Sequence, residues 1–264
     1  MKGNTNKIIW LTGASSGIGE ALAYELSLRG HKLILSARNK KQLISVTERC
    51  ENPECVAILP LDLADYGTVS NNVKTAVSIY GRIDILINNA GISQRSLIMD
   101  TDLEVYEKLI NLNYLGTVAL TKEVLPHFIS ERSGHFVTVT SLMGKFGSPY
   151  RSGYCAAKHA LHGFFDVLRM EHEKDGIDVT LVCPGFVQTK VAINALIGDG
   201  SSQNRNDQAT EQGMPPEIFA RKMIRAIEKK KYEVYIGGKE IKGIYLKRFY
   251  PKLVHKIVLR SQYR

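Results

Sequence analysis

The sequence predicts a doubly wound α/β fold, a parallel seven-stranded sheet with helices on both faces. Short apolar runs rich in β-branched residues alternate along the chain with longer segments of helical period, several of which end at glycine. Strand and helix in alternation indicate βαβ units with right-handed crossovers and a parallel sheet that is buried on both faces. In this class, ligands bind beyond the carboxyl ends of the strands, where the strand order reverses.

Seven apolar runs are predicted to be the strands, and segments such as "IGEALAYELSLRG" and "VSNNVKTAVSIYG" are predicted to be helices between them. The predicted strands are residues 7–11, 31–36, 55–59, 84–88, 135–141, 178–183 and 232–237. At 264 residues and 44% hydrophobic content, the chain is long enough for one sizeable core, so residues 1–264 are expected to form a single domain.

The N-terminal residues do not show the pattern that would predict an export signal. No secretory signal pattern and no run of roughly 18 apolar residues is found, and the four cysteines include no CxxC pair. We expect a reducing, cytoplasmic compartment.

The positive charge is concentrated at the C-terminal end. The net charge is +9, and residues 221–264 hold 14 Lys or Arg against 3 Asp or Glu, so the preceding body is close to neutral. This asymmetry argues against a nucleic-acid-binding core. Within the basic tail, residues 239–264, large apolar residues recur every four positions and Pro251 should interrupt any single helix. The tail is expected either to dock on an anionic membrane surface or to pack on the body or a partner subunit.

One segment interrupts the alternation of strand and helix. Residues 197–216 are polar and rich in Gly, Ser, Asn and Gln, which predicts a long flexible loop that closes over a substrate.

A glycine-rich loop follows the first predicted strand. In "TGASSGIG", residues 12–19, Gly13, Gly17 and Gly19 precede a helix with Glu20 in its first turn. Glycine allows close approach of the backbone to a pyrophosphate, and a helix N-terminus favours an anion. Glycines alone would also fit a plain turn, but the order strand, loop, helix favours a nucleotide site of the Rossmann-like kind.

The end of the second strand indicates which dinucleotide is bound. Ala37 and Arg38 stand where an acidic residue would bind the ribose 2′-hydroxyl of NAD, whereas an arginine accommodates a 2′-phosphate. Arg38, with Ser15 and Asn39, therefore predicts NADP(H). The alternative is that Arg38 begins a solvated helix.

Two further strand ends are candidate cofactor contacts. Asp62 follows the third strand, where its carboxylate could accept from the adenine amino group; a helix N-cap is the alternative, although Asp65 suits that role better. "NNAG", residues 88–91, ends the fourth strand and is equally consistent with an ordinary turn.

A tyrosine and a lysine four residues apart, Tyr154 and Lys158, begin the helix after the fifth strand, which ends at Ser141. The spacing itself is weak, because about one such pair is expected by chance among 12 tyrosines and Tyr235 with Lys239 is a second. Positions i and i+4 share a helix face, so both side chains should meet Ser141 at the carboxyl edge of the sheet. An ammonium and a cationic nicotinamide nearby would favour the phenolate, lowering the phenol pKa by roughly three units.

The ordered set of motifs resembles the short-chain dehydrogenases/reductases over nearly the whole chain. It comprises "TGASSGIG", Asp62, "NNAG", Asn113 in "NLNYLG", Ser141, Tyr154 with Lys158, and "PGFVQT" at 184–189. The stretch around Tyr154 is similar to the branch of 11β-hydroxysteroid dehydrogenase-like and membrane-peripheral enzymes. Ala157 departs from the serine usual before the lysine, which puts a local helix hydrogen bond in doubt.

The resemblance implies hydride transfer between NADP(H) and an apolar ketone, aldehyde or secondary alcohol. Tyr154 would be the general acid and base, Ser141 would bind the substrate oxygen, Lys158 would hold the ribose and lower the pKa of Tyr154, and Asn113 would position a proton-relaying water. The implied cofactor contacts are Gly13, Ser15, Ser16, Gly17, Ile18, Gly19, Arg38, Asn39, Asp62, Leu63, Asn88, Ala90, Gly91, Tyr154, Lys158, Pro184, Gly185, Val187 and Thr189.

Other residues have two interpretations each. Met143, Phe146, Tyr150 and Phe186 are candidates for a substrate wall or for ordinary packing. His159, His162 and Asp166 share a helix face, but without a metal-binding motif we expect an exposed or dimer-facing surface and no metal site. The family's dimer contact through this helix implies a homodimer. Two alternatives to the proposed enzyme remain, a 3-oxoacyl-carrier-protein reductase and a non-catalytic NADP(H) sensor or scaffold.

Overall fold

The computed structural model describes residues 6–260 and confirms the predicted fold class. Seven parallel strands form one sheet in the order β3-β2-β1-β4-β5-β6-β7. They are β1 Ile8–Thr12, β2 Lys32–Ser36, β3 Val56–Ile58, β4 Ile85–Asn88, β5 Gly134–Val139, β6 Ile177–Pro184 and β7 Glu233–Ile236. The chain builds outward from β1 to β3 and then returns to place β4 against the other side of β1, so the strand order reverses between β1 and β4.

Ten α-helices are described. They are α1 Gly17–Leu28, α2 Lys40–Glu48, α3 Val69–Tyr80, α4 Leu103–Ile110, α5 Gly116–Ser130, α6 Ser152–Glu171, α7 Gln208–Glu211, α8 Pro216–Glu228, α9 Lys242–Phe249 and α10 Pro251–Arg260. A π-helical turn, Asn111–Leu115, joins α4 to α5. Gly81 ends α3 in the left-handed conformation, with φ 82°, as the glycine C-cap pattern predicts.

Two apolar cores lie on opposite faces of the sheet. Helices α1, α2 and α8 pack on one face, and α3, α5 and α6 pack on the other. The strands are apolar along their length because both faces are covered. Trp10 in β1 is fully buried and donates from Nε1 to Ser36 Oγ at 2.8 Å, which satisfies its one polar atom.

The polar segment, residues 197–216, has regular structure and specific contacts. It contains α7, and Asp207 caps this helix by accepting a hydrogen bond from the backbone N–H of Thr210 at 2.8 Å. Asp207 is buried and ion-paired to Arg95, from Oδ2 to Nη2 at 2.8 Å. A buried ion pair to Arg95 therefore anchors this segment to the body, although its composition alone predicts a flexible loop.

Residues 239–260 of the basic tail fold back on the body, and residues 261–264 lie outside the described residues. Pro251 separates α9 from α10, as expected from its restricted backbone. Val254 is buried, and Ile241, Ile244 and Val258 pack against a small core around Phe146 and Leu142. Among residues 6–260, no helix combines the length and apolar character needed to cross a membrane.

Candidate active site

A cleft of about 1420 Å³ lies along the carboxyl ends of the strands, over the point where the strand order reverses. Pockets for one drug-sized molecule typically measure roughly 300–1,000 Å³. The cleft can therefore hold two ligands next to each other. The glycine loop lines one end, and Ser141 and Tyr154 line the other.

The glycine loop fits a bound phosphate. Gly13 and Gly17 have φ values of +64° and +58°, a conformation that side chains other than glycine rarely adopt. A Cβ on Gly13 would lie 2.8 Å from the Cα of Ala90. Ser16 occupies the N-cap of α1 but makes no side-chain capping bond, so the first N–H groups of the helix are available to an anion.

Gly19 was predicted to contact the cofactor, but in the structure it is a packing residue. It is buried and does not line the cleft, and a Cβ there would overlap the carbonyl oxygen of Gly13. Its missing side chain lets α1 approach the loop closely, which is the usual role of the last glycine in such a motif.

Asn88 is also corrected, because its neighbour Asn89 is the one that faces the cleft. Asn88 is buried and donates from Nδ2 to Thr121 Oγ1 at 3.2 Å. Asn89 donates from Nδ2 to the carbonyl oxygens of Thr12 and Gly13 at 3.0 and 3.1 Å, and so holds the glycine loop in place. Adjacent residues point to opposite sides of an extended chain, and the sequence does not say which amide faces which side.

The adenosine end of the cleft is lined by residues after β2 and β3. Arg38 is exposed on this wall, and no ion-pair partner is found for it within the described chain. Asn39 uses Oδ1 to cap α2, accepting from the N–H of Gln42 at 3.2 Å. Asp62 accepts from the N–H of Ala64 at 3.0 Å, whereas Asp65 makes no side-chain capping bond. Asp62 therefore makes a local turn contact, and Asp65 occupies an N-cap position without the side-chain bond expected of it.

Ser141, Tyr154 and Lys158 converge at the other end of the cleft. Ser141 follows β5 and accepts from the N–H of Met143 at 3.1 Å, which caps the short 3₁₀ turn Leu142–Gly144. Tyr154 and Lys158 share one face of α6, with Nζ 5.8 Å from the centroid of the phenol ring. Nζ donates to the carbonyl oxygen of Val139 at 2.9 Å.

The electrostatics of the pair differ from the expectation in one respect. Burial raises the pKa of the Tyr154 phenol above its ordinary value, although the Ser141 side chain and the positive charges of Arg95 and Arg151 act in the opposite direction. Burial lowers the pKa of the Lys158 ammonium to about 8. Desolvation thus dominates in the protein alone, and a lowered phenol pKa would require the charge of a bound cofactor.

Asn113 lies behind the cleft wall, within the π-helical turn. It is fully buried, accepts on Oδ1 from the N–H of Ile92 at 2.8 Å and donates from Nδ2 to the carbonyl oxygen of Ile92 at 3.0 Å. A Cβ on Gly91 would lie 2.8 Å from Asn113 Oδ1 and 3.5 Å from Lys158 Nζ. The missing side chain of Gly91 therefore leaves room for both the amide and the ammonium beside this stretch of backbone. Single π turns are frequent at functional sites, but no sequence pattern indicated this one.

Most of the predicted cofactor contacts line the cleft. They are Gly13, Ser15, Ser16, Gly17, Ile18, Arg38, Asn39, Asp62, Leu63, Ala90, Gly91, Tyr154, Lys158, Pro184, Gly185, Val187 and Thr189.

Part of the cleft wall is largely apolar. Met143, Phe146 and Phe186 line it, and the C-terminal helices add further apolar side chains: Leu246, Val254, Ile257 and Val258. Tyr150 does not line the cleft, which corrects its assignment to the substrate wall. Its backbone has a positive φ of 67° and its carbonyl oxygen accepts from the N–H of Ser96.

Gln94 and Arg95 were not singled out from the sequence, yet both support the reacting end. Gln94 is fully buried, and its Oε1 accepts from the N–H of Gly153 at 2.8 Å, which satisfies the uncapped start of α6 next to Tyr154. Arg95 and Arg151 both line the cleft and flank Asp207. The only signal for Gln94 and Arg95 in the sequence is their place in a polar run shortly after "NNAG".

Comparison with known proteins places this geometry in a family. The family model described as short chain dehydrogenase matches residues 7–197. A curated relative from Homo sapiens, named dehydrogenase/reductase SDR family member 7, is 47% identical over 239 residues, which is 88% of this chain and 70% of that protein. A relative from Anopheles gambiae, named dehydrogenase/reductase SDR family protein 7-like, is 38% identical and covers 97% of this chain and 83% of that protein.

Solved structures agree on the fold. A short-chain dehydrogenase from Streptomyces avermitilis superposes with a TM-score of 0.82 at 27% identity, over 98% of this chain and 99% of that one. A short-chain dehydrogenase/reductase from Burkholderia phymatum, solved in complex with NAD, gives a TM-score of 0.83 at 20% identity, over 100% of this chain and 98% of that one. The chain therefore belongs to the short-chain dehydrogenases/reductases, a family of oxidoreductases that bind a nicotinamide cofactor.

Proposed function

We propose that this protein is an NADP(H)-dependent oxidoreductase that interconverts an apolar ketone or aldehyde and the corresponding alcohol. The observation that carries the proposal is the convergence of Ser141, Tyr154 and Lys158 at one end of a cleft whose other end is a glycine loop with open helix N–H groups. A protein that only bound the cofactor would need the loop but not the phenol.

The choice of NADP(H) depends on Arg38. The segment after β2 offers an exposed guanidinium and no carboxylate at the position where the adenosine ribose lies in this fold. A planar guanidinium suits the 2′-phosphate, and the absence of an ion-pair partner in residues 6–260 leaves its charge available.

We assign proton transfer at the substrate oxygen to Tyr154. When bound, the nicotinamide supplies or accepts the hydride at the carbonyl carbon. In reduction, Tyr154 donates its phenol proton to the substrate oxygen while the Ser141 hydroxyl donates a hydrogen bond to the same oxygen. The Lys158 ammonium favours the phenolate that remains, and water near Lys158 and Asn113 returns a proton to it. In oxidation, the phenolate accepts the proton instead.

The substrate is proposed to be apolar because of what lines the cleft. Met143, Phe146 and Phe186 on the body and Leu246 and Val258 on the C-terminal helices all line the cleft. Burial of apolar groups against such walls is worth roughly 25 cal/mol per Å² of area removed from water. Arg95 and Arg151, which also line the cleft, are ion-paired to Asp207.

The test is NADPH oxidation measured over a panel of steroid, retinoid, quinone, aromatic and acyl-carrier carbonyl compounds. We expect turnover of at least one apolar carbonyl and a loss of about 10²-fold or more in kcat for Tyr154→Phe. Tyr235→Phe is the matched control, because Tyr235 also has a lysine four residues later but does not line the cleft. Turnover unaffected by Tyr154→Phe would refute the mechanism, and turnover of acyl-carrier thioesters alone would favour the 3-oxoacyl reductase alternative.

The homodimer is likewise a proposal. The exposed face of α6 carries Ala156, Gly163, Val167 and Met170, and the last two are apolar side chains exposed by 47% and 70%. A second copy of this helix is proposed to cover them. Sedimentation of Met170→Glu should then give a monomer where the unmodified chain gives a dimer, and a monomeric unmodified chain would contradict the proposal.

A further inference from the structure

Three metal-binding side chains meet behind the substrate wall. His162 comes from α6, Cys183 from β6 and Glu233 from β7, and their ligand atoms all lie within 4.8 Å of one another. Cys183 Sγ is 3.8 Å from His162 Nε2 and 3.8 Å from Glu233 Oε1. His162 is buried within the chain, whereas the sequence predicts an exposed or dimer-facing surface for this part of α6. The face of α6 that carries it packs against β6, which the sequence alone could not indicate.

We propose that His162, Cys183 and Glu233 form a Zn²⁺ site with a fourth position open to water. Zinc is bound tetrahedrally by nitrogen, sulfur and carboxylate oxygen, with bonds of about 2.3 Å to sulfur and 2.0–2.2 Å to nitrogen and oxygen. Tetrahedral angles at these lengths separate the sulfur from the other ligands by about 3.6 Å. The two separations from Sγ, both 3.8 Å, exceed this by only a few tenths of an ångström, whereas the His162 and Glu233 ligand atoms, which lie within 4.8 Å, would have to approach to about 3.4 Å.

The hydrogen bonding and protonation of the His162 imidazole favour metal binding. Its single hydrogen-bond contact among the described residues is the long one to Cys183 Sγ, and its Nδ1 is buried with no partner. Burial, with the nearby charge of Lys145, lowers the pKa of His162 to about 4, so the ring is neutral at physiological pH. A buried neutral imidazole with one weak partner gains more from a metal ion than a well hydrogen-bonded one does.

Without a metal ion, the Cys183 thiol stays protonated. Burial raises the pKa of Cys183 to about 12, which keeps it protonated and unreactive in the protein alone. A bound Zn²⁺ deprotonates a coordinating thiol, and the proton leaves to solvent. The Thr140 hydroxyl, whose Oγ1 lies 3.2 Å from Sγ, would then donate to the thiolate.

A cation already occupies part of the site. Lys145 Nζ lies 2.7 Å from Glu233 Oε1 and 2.9 Å from Oε2, and both side chains are about one-quarter exposed. This edge therefore offers a path of entry from solvent. Binding of Zn²⁺ requires the ammonium to leave the carboxylate for water, so Lys145 competes with the metal and weakens its affinity.

The test uses tag-free protein titrated with Co²⁺ and then Zn²⁺. We expect a thiolate-to-cobalt charge-transfer absorption at one Co²⁺ per chain, displacement by Zn²⁺, and release of roughly one proton per Zn²⁺ at pH 7. Cys183→Ser should abolish the absorption, whereas Cys55→Ser should keep it, because Cys55 is a half-exposed thiol outside the cluster. His159→Gln is the matched control for His162→Gln, since His159 lies one turn away on the exposed face of α6.

Lys145→Gln tests the site without removing a ligand. Loss of the competing ammonium should tighten Zn²⁺ binding about tenfold, which corresponds to about 1.4 kcal/mol. The same absorption in Cys183→Ser, no absorption at one equivalent of Co²⁺ in the unmodified chain, or unchanged affinity in Lys145→Gln would each overturn the proposal.

Discussion

Lys158 Nζ donates its hydrogen bond to the carbonyl oxygen of Val139 at 2.9 Å and lies 5.8 Å from the centroid of the Tyr154 ring. The ammonium thus lies over the phenol ring, and its position is set by the hydrogen bond to the end of β5. Because the ammonium is buried, it lowers the free energy of unfolding. The proposed chemistry nevertheless requires the ammonium at this position. Sites of this kind often sacrifice stability for a shifted pKa.

Lys158→Met is therefore expected to stabilise the fold at neutral pH. The pKa of Lys158 is lowered from an ordinary 10.5 to about 8 in the folded chain. Below pH 8 the ammonium is therefore present in both the folded and the unfolded chain, and its burial costs roughly 3 kcal/mol of stability. Loss of the bond to Val139 offsets about 1 kcal/mol of the gain. Between pH 8 and 10.5 the folded chain loses its proton first, so the unmodified protein gains stability and the advantage of the variant fades.

Chemical unfolding at pH 7 and pH 10.5 measures this difference. Lys74→Met, at an exposed position on α3, is the control and should change little at either pH. A variant that is less stable than the unmodified chain at pH 7 would mean that the ammonium stabilises the fold. The same variant should lose carbonyl reduction, which separates the effect on stability from the effect on activity.

Asp207→Asn is expected to destabilise the protein by about 3–5 kcal/mol, because it leaves Arg95 and Arg151 buried without a counter-charge. The two guanidinium side chains are only 7% and 5% exposed. The measurement is the free energy of unfolding, with limited proteolysis of residues 197–216 as a local readout. Asp199→Asn, in the same segment but exposed, should leave the free energy of unfolding nearly unchanged.

The same ion pair gives a pH dependence of known sign. Although burial acts to raise it, the pKa of Asp207 lies below its ordinary 3.8 because Arg95 and Thr210 hydrogen-bond the carboxylate. The contribution of the Asp207 carboxylate to the free energy of unfolding is present in full above about pH 4, and it is lost as the pH falls through the folded-state pKa. The difference in stability between Asp207→Asn and the unmodified chain should therefore shrink as the pH falls below 3.8. A difference that does not change with pH would contradict the ionic role.

The sheet could be predicted from the sequence, and the reason is physical. A strand buried on both faces must be apolar throughout, so each of the seven strands stands out as a β-branched run, and even the three-residue β3 lies inside the predicted 55–59. Motif order then placed the glycine loop, Ser141 and Tyr154 at one edge, because carboxyl ends of parallel strands share that edge.

Details that depend on which way a side chain points could not be predicted. Asn88 and Asn89 are chemically identical neighbours, and the side of the strand each one faces decides which of them holds the glycine loop. His162 is buried because the packing of α6 on β6 covers it, which no periodicity within α6 reveals. Asp207 lies in a polar segment, and only its distant partner Arg95 shows why it is buried.

Arg38→Asp is expected to reverse the cofactor preference. The substitution removes the guanidinium proposed to bind the 2′-phosphate and supplies a carboxylate that can accept from a ribose 2′-hydroxyl. We expect NADPH affinity to fall by about 10²-fold, from loss of a charge-assisted contact and new repulsion, while NADH affinity rises.

Fluorescence titration with both reduced cofactors measures the change. Lys40→Asp is the control, because Lys40 is exposed on the following helix and does not line the cleft. Tighter binding of NADH than of NADPH by the unmodified chain would refute the role of Arg38. A similar loss in Lys40→Asp would show that general surface charge, and not a specific contact, attracts NADPH.

The C-terminal helices are proposed to dock on an anionic membrane surface. Phe249, Tyr250, Leu253 and Leu259 are exposed by 71%, 64%, 46% and 62%, and they lie among basic residues, namely Lys247, Arg248, Lys252, Lys256 and Arg260. Exposed aromatic and aliphatic side chains beside cations match the chemistry of an anionic lipid surface. Because α9 and α10 also line the cleft, an apolar substrate could enter directly from that surface.

Flotation with vesicles of neutral and anionic lipid tests this docking without truncation, which would remove part of the cleft wall. We expect the unmodified chain to float with anionic vesicles and the triple variant Phe249→Ser, Tyr250→Ser, Leu253→Ser to lose at least tenfold in binding, while higher salt weakens both. Leu28→Ser with Met99→Ser removes exposed apolar side chains elsewhere and should bind normally. Equal flotation of all three proteins, or none by the unmodified chain, would leave α9 and α10 with only the packing role they have in the cleft wall.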